Sequence, residues 1–186
     1  LTVLCPPHLV EQWQAELDER FHIKTAAVTA ATAARLEREL PLNQSIFEVH
    51  PYTVVSLDYI KSDRRRDDFV RTCPDFVLVD EAHTCAGGAG RHQRYELLRG
   101  LASKIERHLV LLTATPHSGD EEAFYRLLGL LDPSFEALRD LAGDARKALY
   151  DRLGNHFVQR QRVDIERWEN SRIFPKRETT EVEYRL

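Results

Sequence analysis

The sequence predicts an α/β protein in which a mostly parallel β-sheet carries helices on both faces. Two short apolar runs, residues 76–79 and 108–112, have the composition of central strands in a parallel sheet, which are buried on both sides. Stretches with helical spacing of apolar residues alternate with these strand-like runs. This alternation is typical of βα units and indicates a parallel sheet. The last helical stretch predicts an additional helical C-terminal segment.

Each predicted element has a local signal in the sequence. Pro6 and Pro7 suit the end of the first strand and the first turn of the helix that follows. Thr32 is a suitable N-cap for a helix that Pro41 stops, and Gly143 divides the last helical stretch into two pieces. The predicted strands cover residues 1–5, 26–28, 52–57, 76–79, 108–112 and 179–184, and the predicted helices cover residues 8–21, 32–40, 64–71, 93–101, 121–131 and 138–153.

Length and composition indicate a globular protein of ordinary kind. A chain of 186 residues is enough for one well-buried domain and marginal for two. Thirty acidic residues outnumber 26 basic ones, so the net charge of −4 gives no overall positive charge for binding nucleic acid. This argues only weakly against such binding, because motor domains contact the backbone through local patches.

The cysteines and the lengths of the apolar runs indicate the cellular compartment in which the protein is expected. Cys5, Cys73 and Cys85 have no Cys-x-x-Cys spacing, so we expect small buried thiols that stay reduced in a cytoplasmic protein. His83 and Cys85 lie close in sequence, but no second pair matches them for a zinc site. No apolar run reaches the ~20 residues of a membrane helix, and we see no secretory leader, so no membrane partner is expected.

Polar clusters follow the two apolar strands of the predicted sheet. Asp80, Glu81 and His83 come after the first strand, and Thr113 and Thr115 come after the second, about thirty residues later. Ligands of open parallel sheets bind outside the carboxyl ends of the strands, so both clusters are expected on one edge. Asp80 can hold a hydrated Mg²⁺, and Glu81 can orient a water for in-line attack on a phosphoryl group. His83 lies too far along to join the carboxylates directly, and we expect it to contact a Thr113 or Thr115 hydroxyl.

The acidic pair also has simpler interpretations. An Asp-Glu pair after a strand commonly caps a helix or a turn, and the more specific signal is four apolar residues before each of Asp-Glu-Ala-His and Thr-Ala-Thr-Pro. A metal-dependent nuclease would also use Asp80 and Glu81. It would need further carboxylates or a lysine converging on the metal, and the sequence has no such motif.

These strings resemble motifs of superfamily-two helicases, especially the Swi/Snf-type branch that includes bacterial RapA-like proteins. Residues 79–83, Val-Asp-Glu-Ala-His, are similar to the Walker B motif of that family. Residues 112–116, Leu-Thr-Ala-Thr-Pro, are similar to the motif that couples ATP hydrolysis to movement. Residues 1–13 resemble motif Ia, and residues 54–59 resemble motif Ib.

The resemblance extends over nearly the whole chain. Residues 124–133 are similar to the segment after the coupling motif, and residues 157–164 and 174–178 are similar to the stretch that leads to the second motor domain. A looser resemblance is to the Swi/Snf-like component of bacterial DISARM phage-defence systems. The resemblance implies that residues 1–135 are part of a first RecA-like motor domain. Residues 136–186 would then form a helical segment and a returning strand leading to a second RecA-like domain.

The resemblance also implies cofactors, a partner and a role for each site residue. The cofactors would be ATP and Mg²⁺, with Asp80 as the metal ligand and Glu81 as the water-orienting base. His83, Thr113 and Thr115 would couple hydrolysis to domain motion. Duplex DNA would be bound through its backbone, and a helix starting near Pro7 or His8 would offer free amides to a phosphate. Trp13 is expected in the core. The residues implied to contact nucleic acid are Pro7, His8, Ser56, Asp58 and Tyr59.

One motif of the family is missing from the sequence. No Gly-x-x-x-x-Gly-Lys-Ser/Thr loop occurs, and none of the five lysines follows a glycine. That loop normally precedes motif Ia, so we expect it upstream of Leu1, with the second RecA-like domain and its arginine finger beyond Leu186. The sequence is therefore interpreted as a fragment of a DNA-stimulated ATPase that translocates on duplex DNA and is complete only in its parent. The alternative is a non-catalytic module that binds nucleic acid or a protein.

Overall fold

The computed structural model describes residues 1–87, 92–116 and 120–160, and in this part of the chain five parallel strands form one sheet. Each neighbouring pair of strands is parallel, which confirms the predicted α/β class. Because the strands share one direction, their carboxyl ends lie along one edge, and the residues that follow these ends are called the carboxyl rim below. In chain order the strands are β1 (Thr2–Cys5), β2 (Ala26–Val28), β3 (Thr53–Ser56), β4 (Phe76–Val79) and β5 (His108–Leu111), and their order in the sheet is β2-β3-β1-β4-β5.

The described ranges also contain eight helices and three 3₁₀ turns, and the last three of these elements along the chain follow β5. The predicted bounds of β2, β4 and α7 (Glu121–Leu131) match the structure residue for residue, whereas α3 (Ile46–Val49) and α4 (Leu57–Ile60) were not predicted. Ser45 begins α3 with a capping box, in which its hydroxyl accepts from the Glu48 amide and the Glu48 carboxylate accepts from the Ser45 amide. The helices are α1 (Val10–Phe21), α2 (Ala33–Arg38), α3 (Ile46–Val49), α4 (Leu57–Ile60), α5 (Asp63–Thr72), α6 (His92–Ala102), α7 (Glu121–Leu131) and α8 (Gly143–Leu153), and the 3₁₀ turns are Pro7–Leu9, Ala82–Cys85 and Pro133–Arg139.

Helices pack on both faces of the sheet, as the sequence predicted. The interpretation of residues 108–112 as a central strand is wrong for the described sheet, because β5 lies at its edge and is only partly buried. Side chains alternate between the two faces of a strand, so neighbouring residues enter different clusters. Val3, Cys5 and Val54 pack with residues of α1 on one face. On the other face, Leu4, Val55, Val77 and Val79 pack with residues of α5, α6 and α7. The sheet is therefore the shared wall of two apolar clusters, which holds the carboxyl rim on a rigid base.

The C-terminal segment packs on α7 through a separate apolar cluster. Gly143 has a φ of 59°, which suits glycine, and it begins α8 where the sequence predicted a break. The piece before this break is a 3₁₀ turn that starts at Pro133. Residues 179–184, predicted as a strand, lie outside the described residues, and the division at residue 135 stays a prediction. The cluster is formed by Phe124, Leu128, Phe135, Leu138, Leu149 and Leu153.

The predicted helices 64–71 and 93–101 are each one residue short at both ends, and two others extend beyond the observed helices. The helix predicted over residues 8–21 begins with the 3₁₀ turn Pro7–Leu9, and α1 starts at Val10. The helix predicted over residues 32–40 ends at Arg38. The Thr32 hydroxyl does not cap it, because it faces the preceding residues, where it accepts from the Thr29 amide at 3.0 Å and donates to the Ala27 carbonyl oxygen at 2.6 Å. No helix within the described ranges has the length and apolar character needed to cross a bilayer.

Candidate active site on the carboxyl rim

The two polar clusters predicted from the sequence lie side by side on the carboxyl rim. Val79 of β4 and Leu111 of β5 are paired in register, so the residues after them leave the sheet as neighbours. The pairing continues past the strands, since the Leu112 amide donates to the Val79 carbonyl oxygen at 2.8 Å and the Ala82 amide donates to the Leu112 carbonyl oxygen at 2.9 Å. The acidic pair and the hydroxyl pair are therefore brought together on one edge, as the sequence predicted.

The Asp80 carboxylate is held by hydrogen bonds to both of its oxygens. Its Oδ1 accepts from the Glu81 amide at 2.8 Å, and its Oδ2 accepts from the Trp13 indole Nε1 at 2.8 Å. The Asp80 amide donates to the Leu4 carbonyl oxygen of β1 at 2.8 Å. Because each carboxylate oxygen has two lone pairs, both oxygens still have one lone pair available. The carboxylate is thus fixed in direction while it can still accept from a ligand.

Trp13 is part of the apolar cluster under α1, as expected, but its bond to Asp80 was not predicted. The side chain is half-buried and packs against the cluster that contains Val3 and Leu17. A partly buried indole N–H needs an acceptor, which is a signal that the sequence contains. That signal does not identify which carboxylate the indole reaches.

Glu81 has left-handed backbone angles, with φ 51° and ψ 44°. Such angles cost a non-glycine residue about 1–3 kcal/mol. They fold the chain sharply between β4 and the 3₁₀ turn Ala82–Cys85, which brings the His83 ring back over Glu81. His83 Nδ1 lies 3.2 Å from Glu81 Oε2. The prediction that His83 lies too far along to join the carboxylates directly is therefore wrong for Glu81, because the chain turns back at that residue.

His83 connects the acidic pair to β5. Its Nδ1 lies 2.9 Å from Thr113 Oγ1, so the predicted contact between His83 and a threonine hydroxyl is confirmed. The Glu81 carboxylate can only accept, so we assign the ring proton to Nδ1, where both oxygens face it. The Thr115 amide donates to Thr113 Oγ1 at 3.1 Å. Thr115 thus joins this chain of contacts through its backbone, and its side chain is exposed.

Two of the residues predicted to contact nucleic acid follow β1 on the same rim. Pro7 and His8 are exposed in the 3₁₀ turn before α1. Pro7 has no N–H, the Leu9 amide donates to the Pro6 carbonyl oxygen at 3.0 Å, and the Val10 amide donates to the Pro7 carbonyl oxygen. These bonds reduce the number of amides that the turn can offer to a phosphate.

Two other predicted contact residues are buried. Ser56 is 3% exposed and Tyr59 is 8% exposed. The Arg65 guanidinium lies 4.2 Å from the centre of the Tyr59 ring, and burial raises the pKa of the Tyr59 hydroxyl. The structure does not bring these two side chains to the surface. A direct bond from either one to a backbone phosphate would require it to leave the core.

Asp58 is exposed, but it is paired with cations. Arg94 Nη2 lies 2.5 Å from Asp58 Oδ1, and Lys61 Nζ lies 3.0 Å from the same oxygen. The hydrogen bond from Arg94, and then that from Lys61, hold the pKa of Asp58 below its usual range. A carboxylate repels phosphate, so Asp58 is better suited to holding Arg94 and Lys61 in place. Sequence reasoning missed Arg94, which comes from α6 and is far from Asp58 along the chain.

Comparison with known proteins identifies the family. The family model for the SNF2-related domain matches residues 1–141. The chain belongs to the SNF2-related domain family. The matched range contains the whole described sheet and its carboxyl rim, and it ends just before α8. The resemblance to Swi/Snf-type proteins stated from the motifs is thereby confirmed, and so is the RecA-like parallel sheet.

Relatives of this SNF2-related chain carry the name RNA polymerase-associated protein RapA. The protein from Proteus mirabilis is 29% identical over 134 residues, which are 71% of this chain and 13% of the relative. Those from Vibrio campbellii and Pseudomonas aeruginosa are each 31% identical, over 137 and 134 residues. These ranges cover 72% and 71% of this chain and 14% of each relative. The chain therefore spans about one seventh of the length of these relatives.

The donor set of this SNF2-related rim suits a metal that is shared with phosphates. Within the described residues no group of three or more His, Cys, Asp or Glu side chains could enclose a metal ion. Mg²⁺ does not need such an enclosure, because it is commonly held by one or two carboxylates, several waters and phosphate oxygens. Asp80 provides one fixed carboxylate of this kind.

Proposed function

We propose that this chain is part of the first motor domain of a Swi/Snf-like ATPase that translocates on duplex DNA. The observation that carries the proposal is the line of contacts from Glu81 through His83 to Thr113, which joins the ends of β4 and β5. In a motor driven by ATP hydrolysis, the structural change at the nucleotide must be transmitted to a neighbouring structural element. This line provides a direct physical path for such a change.

Asp80 and Glu81 have different tasks in the proposed reaction. Asp80 would accept hydrogen bonds from the water shell of a Mg²⁺ ion with its remaining lone pairs. When bound, Mg²⁺ would spread the negative charge that develops on the transferring phosphoryl group. The Glu81 carboxylate is 37% exposed on the rim, so it can reach a water, orient it and accept its proton. His83 would steady Glu81 Oε2 through its Nδ1 proton.

We assign the phosphate-binding loop and the second RecA-like domain to a parent protein. Neither a Gly-Lys-Ser/Thr loop nor a second motor domain is encoded in these 186 residues. The length of the relatives supports this proposal, because the chain matches only 13% of the Proteus mirabilis protein. We also place the parent in the cytoplasm, where the three buried free cysteines would stay reduced.

Contacts to DNA would come from the part of the rim that follows β1 and β3. Pro7 and His8 are exposed there, and Asp58 keeps Arg94 and Lys61 nearby. Arg and Lys contacts to phosphate position a duplex without reading its sequence. We therefore expect binding to duplex DNA that does not depend on base sequence and that weakens as salt concentration rises.

The test measures ATP turnover by the complete parent protein with and without duplex DNA, and then with Glu81→Gln. We expect turnover that DNA stimulates, and a loss of at least about 100-fold in Glu81→Gln, since general-base catalysis contributes about 10²–10⁴-fold. Glu48→Gln is the matched control, because Glu48 is a capping carboxylate of α3. The alternative, a non-catalytic binding module, predicts no turnover in any of these proteins. Unchanged turnover in Glu81→Gln would also contradict the proposal.

A further inference from the structure

Trp13 donates its indole N–H to the carboxylate that we propose as the metal ligand. The distance from Trp13 Nε1 to Asp80 Oδ2 is 2.8 Å, and the two residues are 67 positions apart in the chain. Trp13 lies in the second turn of the helical stretch that follows β1, whereas Asp80 follows β4, the next strand in the sheet. The bond therefore ties the carboxylate to a different element from the one that carries it.

The Trp13 indole is a rigid donor that packs against apolar side chains. Its ring packs against an apolar cluster that contains Val3 and Val54 and beside the partly buried Leu9 and Leu78. Those apolar neighbours restrict the directions that the half-buried ring can take. A tryptophan side chain has two rotatable angles, so packing of this kind fixes the direction of its N–H.

We infer that Trp13 is the positioning residue that aims the Asp80 carboxylate at the magnesium hydrate, an inference that rests on the proposed function. The Glu81 amide holds Oδ1 from the same turn of chain, and one bond of that kind leaves the carboxylate free to swing about it. The indole N–H holds Oδ2 from a second direction. Two donors from two directions leave the remaining lone pair of each oxygen in a set orientation, as groups behind a metal ligand commonly do.

A purely structural role makes a different prediction. If the bond served only to satisfy a partly buried indole, losing it would lower stability and leave the response to magnesium unchanged. If Trp13 orients Asp80, losing the indole N–H raises the Mg²⁺ concentration that ATP turnover requires, and a high Mg²⁺ concentration restores part of the turnover. The Mg²⁺ concentration at half-maximal turnover therefore separates the two roles.

The variants are chosen to remove the donor with little change in packing. Trp13→Phe keeps an aromatic ring and loses the N–H. Replacing Trp13 by 3-benzothienylalanine keeps the size and shape of the indole and substitutes sulfur for the N–H group. This second variant serves if Trp13→Phe does not fold. The matched control is Gln14→Leu, which removes the hydrogen bond from Gln14 Nε2 to the Thr25 carbonyl oxygen, 2.9 Å, on the same helix.

Two measurements read the effect. In the complete parent protein, the Mg²⁺ concentration at half-maximal ATP turnover and the Mn²⁺ dissociation constant are measured, the latter by electron paramagnetic resonance. We expect both to rise roughly 10- to 100-fold in the two Trp13 variants, the usual range for losing a partner of a metal ligand, and to stay constant in Gln14→Leu. In the 186-residue chain, the Trp13 indole proton resonance, identified by its loss in Trp13→Phe, should move upfield in Asp80→Asn, because an amide is a weaker acceptor.

The outcomes distinguish this inference from the proposed function. A parent that turns over ATP with the same magnesium dependence in wild type and in the benzothienylalanine variant overturns the role of Trp13 and leaves the proposed function standing. If the chemical shift of the Trp13 indole proton is the same in wild type and in Asp80→Asn, the hydrogen bond is absent and the inference is overturned as well. A wild-type parent with no turnover defeats the proposed function, and the inference fails with it.

Discussion

The contact between His83 and Thr113 leads to a specific prediction, because Thr113 contributes its hydroxyl and the nearby Thr115 contributes only its backbone amide. Thr113 Oγ1 lies 2.9 Å from His83 Nδ1 and accepts from the Thr115 amide at 3.1 Å. Thr115 contributes its amide, and its side chain is exposed. Replacing Thr113 by valine removes the hydroxyl and nearly preserves shape. Replacing Thr115 by valine makes the same chemical change two residues further along the chain and leaves both bonds intact.

The expected loss follows from the number of bonds and their exposure. A net contribution of ~1 kcal/mol for each of two hydrogen bonds gives a ceiling of about 2 kcal/mol for Thr113→Val. Water can replace a lost partner at this partly exposed rim, so we expect about 1–2 kcal/mol. Thr115→Val should change the free energy of unfolding by no more than ~0.5 kcal/mol.

The assay is urea unfolding of the 186-residue chain, followed by circular dichroism, with the wild type and both variants measured together. The difference between the two variants is the quantity of interest, since any general effect of valine on this loop cancels. In the parent protein, Thr113→Val should also reduce DNA-stimulated turnover more than Thr115→Val does. Equal losses in the two variants, or a larger loss in Thr115→Val, would refute the assignment of the contact to the Thr113 hydroxyl.

Three further predictions test the core, a thiol and an ion pair. Phe69 is fully buried and Phe21 is 66% exposed, so Phe69→Ala should cost about 3–5 kcal/mol in urea unfolding and Phe21→Ala within about 0.5 kcal/mol. Burial, and then the nearby Asp80 charge, raise the pKa of Cys5 to about 12, so a disulfide reagent at pH 8 should modify Cys5 only after unfolding, and rapid modification of the native protein would contradict this. Asp58 has a lowered pKa, so its bonds to its cation partners stabilise the fold above pH ~4 and are lost as pH falls through the folded pKa. The gap in unfolding free energy between wild type and Asp58→Asn should therefore shrink between pH 7 and pH 3, and a gap that widens would contradict the sign.

The strands and their ends could be predicted because each depends on residues that are close in sequence. A run such as Phe76–Val79 has no polar residue, which is typical of a strand in a covered parallel sheet. In the structure Val77 and Val79 are buried, whereas Phe76 is 43% exposed. The rule that parallel strands present their carboxyl ends on one edge then places the residues after β4 beside those after β5. No side-chain geometry is needed for this step, which is why the shared edge was predictable.

The contacts that connect the rim could not be predicted, because they depend on turns and distant side chains. The Glu81 backbone folds back at φ 51°, a conformation that its residue type gives no reason to expect, and the distance from His83 to Glu81 follows from it. The bonds from Trp13 to Asp80 and from Arg94 to Asp58 each join segments more than 30 residues apart. Their identity depends on the final packing of α1 and α6.

The two carboxylates of the acidic pair sit in different physical settings, and that difference bears on how they would share one reaction. Asp80 is tied at both oxygens and through its amide to β1, so its position is set by the sheet and by α1. Glu81 is half-open to solvent, and His83, from the adjoining turn, lies beside one of its oxygens. A carboxylate that holds a hydrated metal ion works best in a fixed direction. A carboxylate that acts as a base must contact a water molecule, accept its proton and later release that proton. The fold therefore favours Asp80 for the first task and Glu81 for the second, and it leaves Glu81 as the member of the pair whose change of charge would reach β5 through His83.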